Sequence, residues 1–270
     1  MFPQNSKRVQ RQQKAPLRII MGNPPYSVGQ KSTNDGAENQ SYPILDRRIA
    51  STYANLSLSS NINSLYDSYI KAFRWSTDRL DKTGGIIGFV SNGAWLDGNS
   101  TDGFRKSIEK EFTSVYVFNL RGRAVGNSGE NRRKESGNVF GSGTRTPIAI
   151  TLLVKNPNVR TEKATIYYHD IGDYLNREEK LKIVSDFKSF ANPNLPIKTL
   201  APNEHGDWLT ERNAAFENFI HLAPEKKFDS RAKSFFTLNS LGVFTNRDAC
   251  LLYTSPSPRD RTRYRMPSSA

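Results

Sequence analysis

Four consecutive residues, Asn23-Pro24-Pro25-Tyr26, carry the clearest chemistry in this chain. Proline lacks an N–H and holds its own φ, and Pro25 pushes Pro24 towards extended geometry. The backbone here therefore offers carbonyl oxygens on a stiff corner, flanked by an amide side chain and an aromatic ring. Such a set suits a flat group bearing an NH2. The Asn23 side-chain oxygen and the Pro24 carbonyl can each accept one amine hydrogen while the Tyr26 ring stacks on the plane. An aromatic amine is a poor nucleophile because its lone pair is delocalised into the ring. Two acceptors out of the ring plane draw the nitrogen towards a tetrahedral shape, and the localised pair can then attack an electrophilic methyl group. The proton leaves afterwards, so no Asp, Glu or His is needed in the loop.

The loop must be held by the element before it. Leu17-Arg18-Ile19-Ile20-Met21 has the length and β-branched content of a buried strand, which ends at Gly22 and cannot continue through two prolines. The carboxyl end of a strand is where open α/β sheets hold their ligands. In this setting Asn23-Pro24-Pro25-Tyr26 resembles the catalytic loop of the amino-group DNA methyltransferases that use S-adenosylmethionine. Adenine in DNA, a base in RNA and a protein glutamine amide are all methylated by similar loops.

The elements downstream extend the resemblance. Gly29 to Ser60 is polar and long, and reads as a loop beside the active site or a disordered insertion. Asn61 to Trp75 reads as a helix whose stripe, Ile62, Leu65, Tyr69, Phe73 and then Leu80, belongs to the core. Ile86 to Val90 is expected to be a buried strand, Phe104 to Phe112 a helix and Val115 to Leu120 a strand. That rhythm predicts a parallel, doubly wound sheet. Its order resembles the C-terminal half of a Rossmann-like class I methyltransferase sheet, an α/β fold. GGIIGFVSNGAWLDG followed by FRK is similar to the type I, type IIG and type ISP restriction-modification enzymes, the single-chain type ISP group above all. The resemblance covers about residues 16–249 and implies adenine-specific transfer to the N6 amine of double-stranded DNA. S-adenosylmethionine would be the cofactor and Asn23, Pro24, Pro25 and Tyr26 the catalytic residues. It also implies nuclease and helicase regions in the same parent polypeptide.

Arg121 to Gly143 is a polar, glycine-rich excursion carrying Arg121, Arg123, Arg132, Arg133 and Lys134. These either grip DNA phosphates, giving affinity without sequence choice, or face solvent. Phe140-Gly141-Ser142-Gly143 matches the Phe-x-Gly-x-Gly pattern of an S-adenosylmethionine loop. No apolar strand precedes it, however, and the strand Pro147 to Val154 follows, which argues against a cofactor site. Asn138-Val139-Phe140 resembles instead the hairpin that closes the adenine pocket in this family, with Phe140 stacking on the extruded base. Cofactor-binding residues are expected upstream of residue 1, so methyl transfer is not expected from this chain alone.

Thr165 to His169 is predicted to be a strand and Asn176 to Phe190 a charged amphipathic helix. Residues 1–15, with four cations and no acid, read as a basic linker or the end of an upstream helix, and 16–190 as a partial catalytic domain. Residues 191–249 read as a linker and the start of a specificity domain. Residues 250–270 begin CLLYTS, which is what a transposon-end sequencing adapter encodes, and read as adapter-derived sequence or a disordered tail. Removing that tail's four arginines and one aspartate lowers the net charge from +13 to +10 and removes the one cysteine. A strongly basic chain suits a polyanionic partner such as nucleic acid. Without cysteine there is neither disulfide nor thiolate zinc site, and His169, His205 and His221 lack metal-ligand spacing. With no signal peptide or membrane-length apolar run, a cytoplasmic protein is expected. Other readings of the same features are a non-catalytic DNA-binding module and a methyltransferase of protein glutamine or RNA.

Overall fold

Strand-forming runs alternate with amphipathic helices, and they assemble into one six-stranded sheet with helices on both faces. The computed structural model describes residues 3–25, 41–59, 61–80, 84–124, 126–141 and 144–210, together with 219, 220, 222 and 234–236. The chain divides into two units, Met1–Arg212 and Asn213–Ala270. The first contains helix α1 (Pro3–Lys14), strand β1 (Ile19–Gly22), α2 (Pro43–Ile49), α3 (Ser68–Arg79), β2 (Gly85–Asn92) and α4 (Asp102–Glu111). It continues through β3 (Ser114–Arg121), α5 (Gly129–Lys134), β4 (Ile148–Lys155), β5 (Thr165–Asp170), α6 (Arg177–Phe187) and β6 (Lys198–Leu200). In the second unit the Phe236 N–H donates to the Leu222 carbonyl at 2.9 Å. The expected start of a specificity region at Leu238 to Ala249, and residues 250–270, lie outside the described residues.

The sheet order is β1-β2-β4-β3-β5-β6. β1 pairs parallel with β2, and β3 parallel with β5, while β4 runs antiparallel between β2 and β3. The expected α/β class holds, but the sheet is mixed rather than wholly parallel. β2 and β3 point the same way and are separated by β4, which follows both in the chain and fills the gap from the opposite direction.

Alternation along each strand divides the core in two. Val115 and Val117 of β3, Ala149 and Leu153 of β4 and Ile87 of β2 face α2, α3 and α4. Phe118 and Leu120 face the other side with Ile148, Leu195 and the Ile183, Val184 and Phe187 stripe of α6. α6 starts at a capping box in which Asn176 and Glu179 satisfy each other's backbone N–H groups.

Four expectations change. The predicted helix over Asn61 to Trp75 is broken at Asp67, whose extended backbone and carboxylate cap α3 by accepting the Tyr69 N–H. The polar segment Gly29 to Ser60 is not all loop: α2 and a π-helical turn at Ala50–Ala54 bury Ile49 and Tyr53 four residues apart. β1, expected to be buried, is the sheet's edge, with Ile19 64% and Met21 78% exposed. Only Ile20 packs on the core, because among the described residues nothing covers the outer edge. Finally, the linker predicted from residue 191 is folded onto the sheet. β6 pairs antiparallel with β5, and Trp208 packs edge-on to Trp95 at 5.3 Å while its indole N–H donates to Glu109 at 2.7 Å. A tryptophan needs a core on one side and a polar partner on the other, and Trp208 finds both on α4 and its neighbour.

α4 approaches the π-helical turn so closely that a side chain at Gly103 would place its Cβ 1.9 Å from the Tyr53 carbonyl oxygen. Gly103→Ala is therefore expected to lower unfolding free energy by about 3 kcal/mol, the upper range for overpacking. Urea denaturation reads this directly, and an unchanged midpoint would show that the close approach is not required.

Candidate functional site

β1, β2 and β3 run in the same direction, so their carboxyl ends share one rim of the sheet. Gly22 of β1 lies opposite Phe89 of β2, and the chain leaves the sheet at Asn23. Pro24 is buried and anchors the corner, while Asn23 and Pro25 are exposed. The Asn23 carboxamide makes no hydrogen bond among the described residues, so its acceptor oxygen is available. Pro25 borders a broad groove lined also by Leu17, Tyr42, Ile44 and Trp75. Tyr26, the expected stacking ring, lies outside the described residues.

At the end of β3 the backbone turns sharply. Arg121 and Gly122 both have positive φ, 57° and 99°, and the Arg121 N–H is held by the Asn119 side-chain oxygen at 2.9 Å. Gly122 must be glycine on two counts, since a Cβ there would also lie 2.8 Å from the Asn138 amide nitrogen. That amide bridges the neck of the excursion by donating to the carbonyls of Gly122 and Thr146, and the Phe140 N–H returns to the Asn138 oxygen.

The basic cluster read from the sequence separates into two kinds of arginine. Arg121 is forked between Asp170, at 2.7 Å, and Asp173. Burial lowers the pKa of its guanidinium, but the hydrogen bond and charge of Asp170, with the charge of Asp173, outweigh burial and raise it. Arg123 is paired with Asp97 at 2.6 Å. Arg132 and Arg133 stand exposed on α5; Arg133 lies 3.6 Å from Glu130, and Arg132 has no ion pair among the described residues. Phe140 is 47% exposed at the turn following α5. Asp97, Asp170 and Asp173 were not singled out in the sequence, because partners 26 to 52 residues away leave no local signature.

Between the ends of β2 and β3 these groups enclose a cavity of about 240 Å³ lined by Gly93, Asp97, Asn119, Arg123, Asn131 and Pro147 among others. A second cavity of about 380 Å³ shares Arg123 and adds Arg132, Ser136, Thr144 and Arg177.

The Phe140–Gly141 turn does not fit an S-adenosylmethionine loop. No strand leads into Phe140, and the Gly141 N–H closes a turn onto the Asn138 carbonyl at 3.0 Å rather than facing a ligand. Among the described residues no group of acids and histidines is placed to hold a metal, and no helix is long and apolar enough to cross a membrane.

No family model and no curated protein matches the sequence. Solved structures do. A nuclease-deletion mutant of the type ISP restriction-modification enzyme LlaGI, in complex with a DNA substrate mimic, is 43% identical over 91% of this chain with a TM-score of 0.76. The ATP-dependent type ISP restriction-modification enzyme LlaBIII, bound to DNA, is 36% identical over 91% with a TM-score of 0.80. The chain in a DrdV–DNA complex is 34% identical over 92% with a TM-score of 0.75. This chain spans 22%, 16% and 24% of those three chains respectively.

Proposed function

We propose, on the premise that 91% of this chain matches type ISP restriction-modification enzymes, that it supplies the amine-binding part of an adenine-specific DNA methyltransferase. The observation that carries this reading is the exposed, unengaged carboxamide of Asn23 on a corner anchored by buried Pro24, at the carboxyl end of a strand. LlaGI and LlaBIII were solved with DNA or a DNA mimic, which supports the choice of substrate.

Adenine leaves the duplex at a cost of a few kcal/mol. Its amine donates one hydrogen to the Asn23 oxygen and the other to the Pro24 carbonyl, and Tyr26 stacks on the ring. The two acceptors localise the nitrogen lone pair and aim it, so orientation supplies most of the acceleration. S-adenosylmethionine is the methyl donor in this reading. The contribution of this chain is the placement of the acceptor nitrogen.

The test uses LlaGI carrying this chain in place of the part it matches, with radiolabelled S-adenosylmethionine and duplex DNA. Label is expected in DNA and, after digestion to nucleosides, in N6-methyladenosine's deoxy form. Label in cytosine, in RNA or in a protein glutamine overturns the adenine assignment.

A further inference from the structure

The cavity between β2 and β3 has walls unlike its rim. Inside, the charges are paired or solvated by the backbone: Asp97 is paired with Arg123 and Arg121 with Asp170, and the Glu135 carboxylate accepts the N–H groups of Gly122 and Arg123 at 3.0 and 3.1 Å. Asn119 is engaged with the Arg121 N–H, Tyr168 and Asp170, so the amides of Asn127 and Asn131 supply the mixed donors and acceptors of the lining, and Gly93, Leu96 and Pro147 add small or apolar surface. A nearly neutral wall of this kind suits a flat heterocycle with hydrogen-bonding edges better than an anion. Asparagine amides and arginine forks are the groups that pair with base edges. At about 240 Å³ the space is below the roughly 300–1,000 Å³ of drug-sized ligand sites, and one base with part of its sugar suits it.

The rim is cationic. Arg132 is exposed without an ion pair among the described residues, and Lys134 borders the first cavity. Arg177 borders the second, the Nε of its fork donating to the Val139 carbonyl at 3.0 Å and its Nη1 lying 3.6 Å from the exposed Glu178 carboxylate. Phosphate oxygens are the natural partners of such a fork.

β4 lies two strand positions from β1, so the cavity is roughly 10 Å along the rim from Asn23, or about three base-stacking steps of 3.4 Å. A base held by Asn23 cannot fill it, yet the same DNA can reach both. We infer that this cavity holds a second, unpaired nucleotide about three positions along the strand from the methylated one, with its base against the amides of Asn127 and Asn131 and its phosphate on Arg132 and Arg177. The inference rests on the DNA reading above. It adds a site that the Asn23 loop does not supply.

The experiment measures fluorescence anisotropy of the 270-residue chain with a fluorescein-labelled 20-base-pair duplex, either fully paired or carrying one unpaired 5-iododeoxyuridine at its centre. The bulged duplex is expected to bind about tenfold tighter, equivalent to about 1.4 kcal/mol. Irradiation is expected to cross-link the bulged base within residues 119–135. Asn127→Ala combined with Asn131→Ala is expected to abolish the tenfold preference, with the circular dichroism spectrum retained as evidence of folding. Equal affinity for the two duplexes overturns the second site and leaves DNA binding standing. A cross-link within residues 21–26 overturns it too, by placing the unpaired base at the Asn23 loop. Failure to bind either duplex overturns the site together with the DNA reading on which it rests.

Discussion

Asn23→Ala, introduced into the LlaGI chimera, is expected to lower the rate of methyl transfer by about 10²–10³-fold, the usual cost of removing one preorganised polar group aimed at a reacting centre. The Asn23 oxygen bonds the amine most strongly as the nitrogen becomes tetrahedral, so its loss falls on kcat more than on KM. Asn23→Asp keeps an acceptor at the same place but adds a negative charge where only a dipole is needed. It should retain more activity than alanine without restoring the full rate. Single-turnover methylation with excess enzyme separates the chemical step from product release. An alanine variant as fast as the parent would remove the ground for amine methylation at this loop. The exposed side chain, free of hydrogen bonds among the described residues, makes the test clean, since its removal breaks no internal contact of the fold.

The second large effect concerns stability. Arg105 is 1% exposed and its guanidinium donates to the carbonyls of Gly206, Trp95 and Gly98 at 2.6, 2.7 and 2.8 Å, with Asp207 at 3.4 Å. One side chain thus ties α4, the turn before it and the segment leading to Trp208. Arg105→Ala takes the cation from the buried Asp207 and the side-chain donor from the Gly206 carbonyl, while the Thr101 hydroxyl still reaches the carbonyls of Trp95 and Gly98 and Asn203 still donates to Asp207. It is expected to cost about 3–5 kcal/mol. For a unit of this size that is a fall in Tm of roughly 6–20 °C. Arg105→Lys keeps the charge but cannot fork, and should recover only part of the loss. Differential scanning calorimetry reads both. A Tm within 2 °C of the parent for the alanine variant would mean that the 206–208 segment is held by Trp208 alone. Hydrogen exchange at Asp207 and Trp208 would then stay protected.

Much of this molecule is written locally. A run of β-branched residues halted by Gly22 and two prolines makes a strand and a stiff corner whatever surrounds them, because the restriction lies in the chain's own dihedrals. Ile86 to Val90, Val115 to Leu120 and Ile148 to Val154 were legible as strands by the same means, and α4 and α6 by their spacing. The resemblance to type ISP enzymes was legible too, since motif and element order survive in the linear text. What period and composition do not carry is which strand lies beside which. β4 enters between β2 and β3 only when all three exist, and β1 becomes an edge only once its neighbours are counted. The segment from Asn192 to Leu209 has the prolines of a linker, yet Trp208 and β6 find partners on α4 and β5, far away in sequence.

The candidate site divides in the same way. Asn23 and Pro24 announce their chemistry by adjacency. The arginines announced only their charge, and the fold then took Arg121 and Arg123 into ion pairs with Asp170, Asp173 and Asp97 while leaving Arg132 exposed. The sequence alone determined the stiff acceptor corner, strands β2, β3 and β4 and helices α4 and α6, because each depends on torsions and spacings within a few residues, whereas α2, the break at Asp67 and β6 appeared only in the fold. The tertiary structure decided the sheet order, the edge, the paired and unpaired cations and the cavity behind them. Those are contacts between residues tens of positions apart, and nothing short of the folded chain brings their charges and surfaces together.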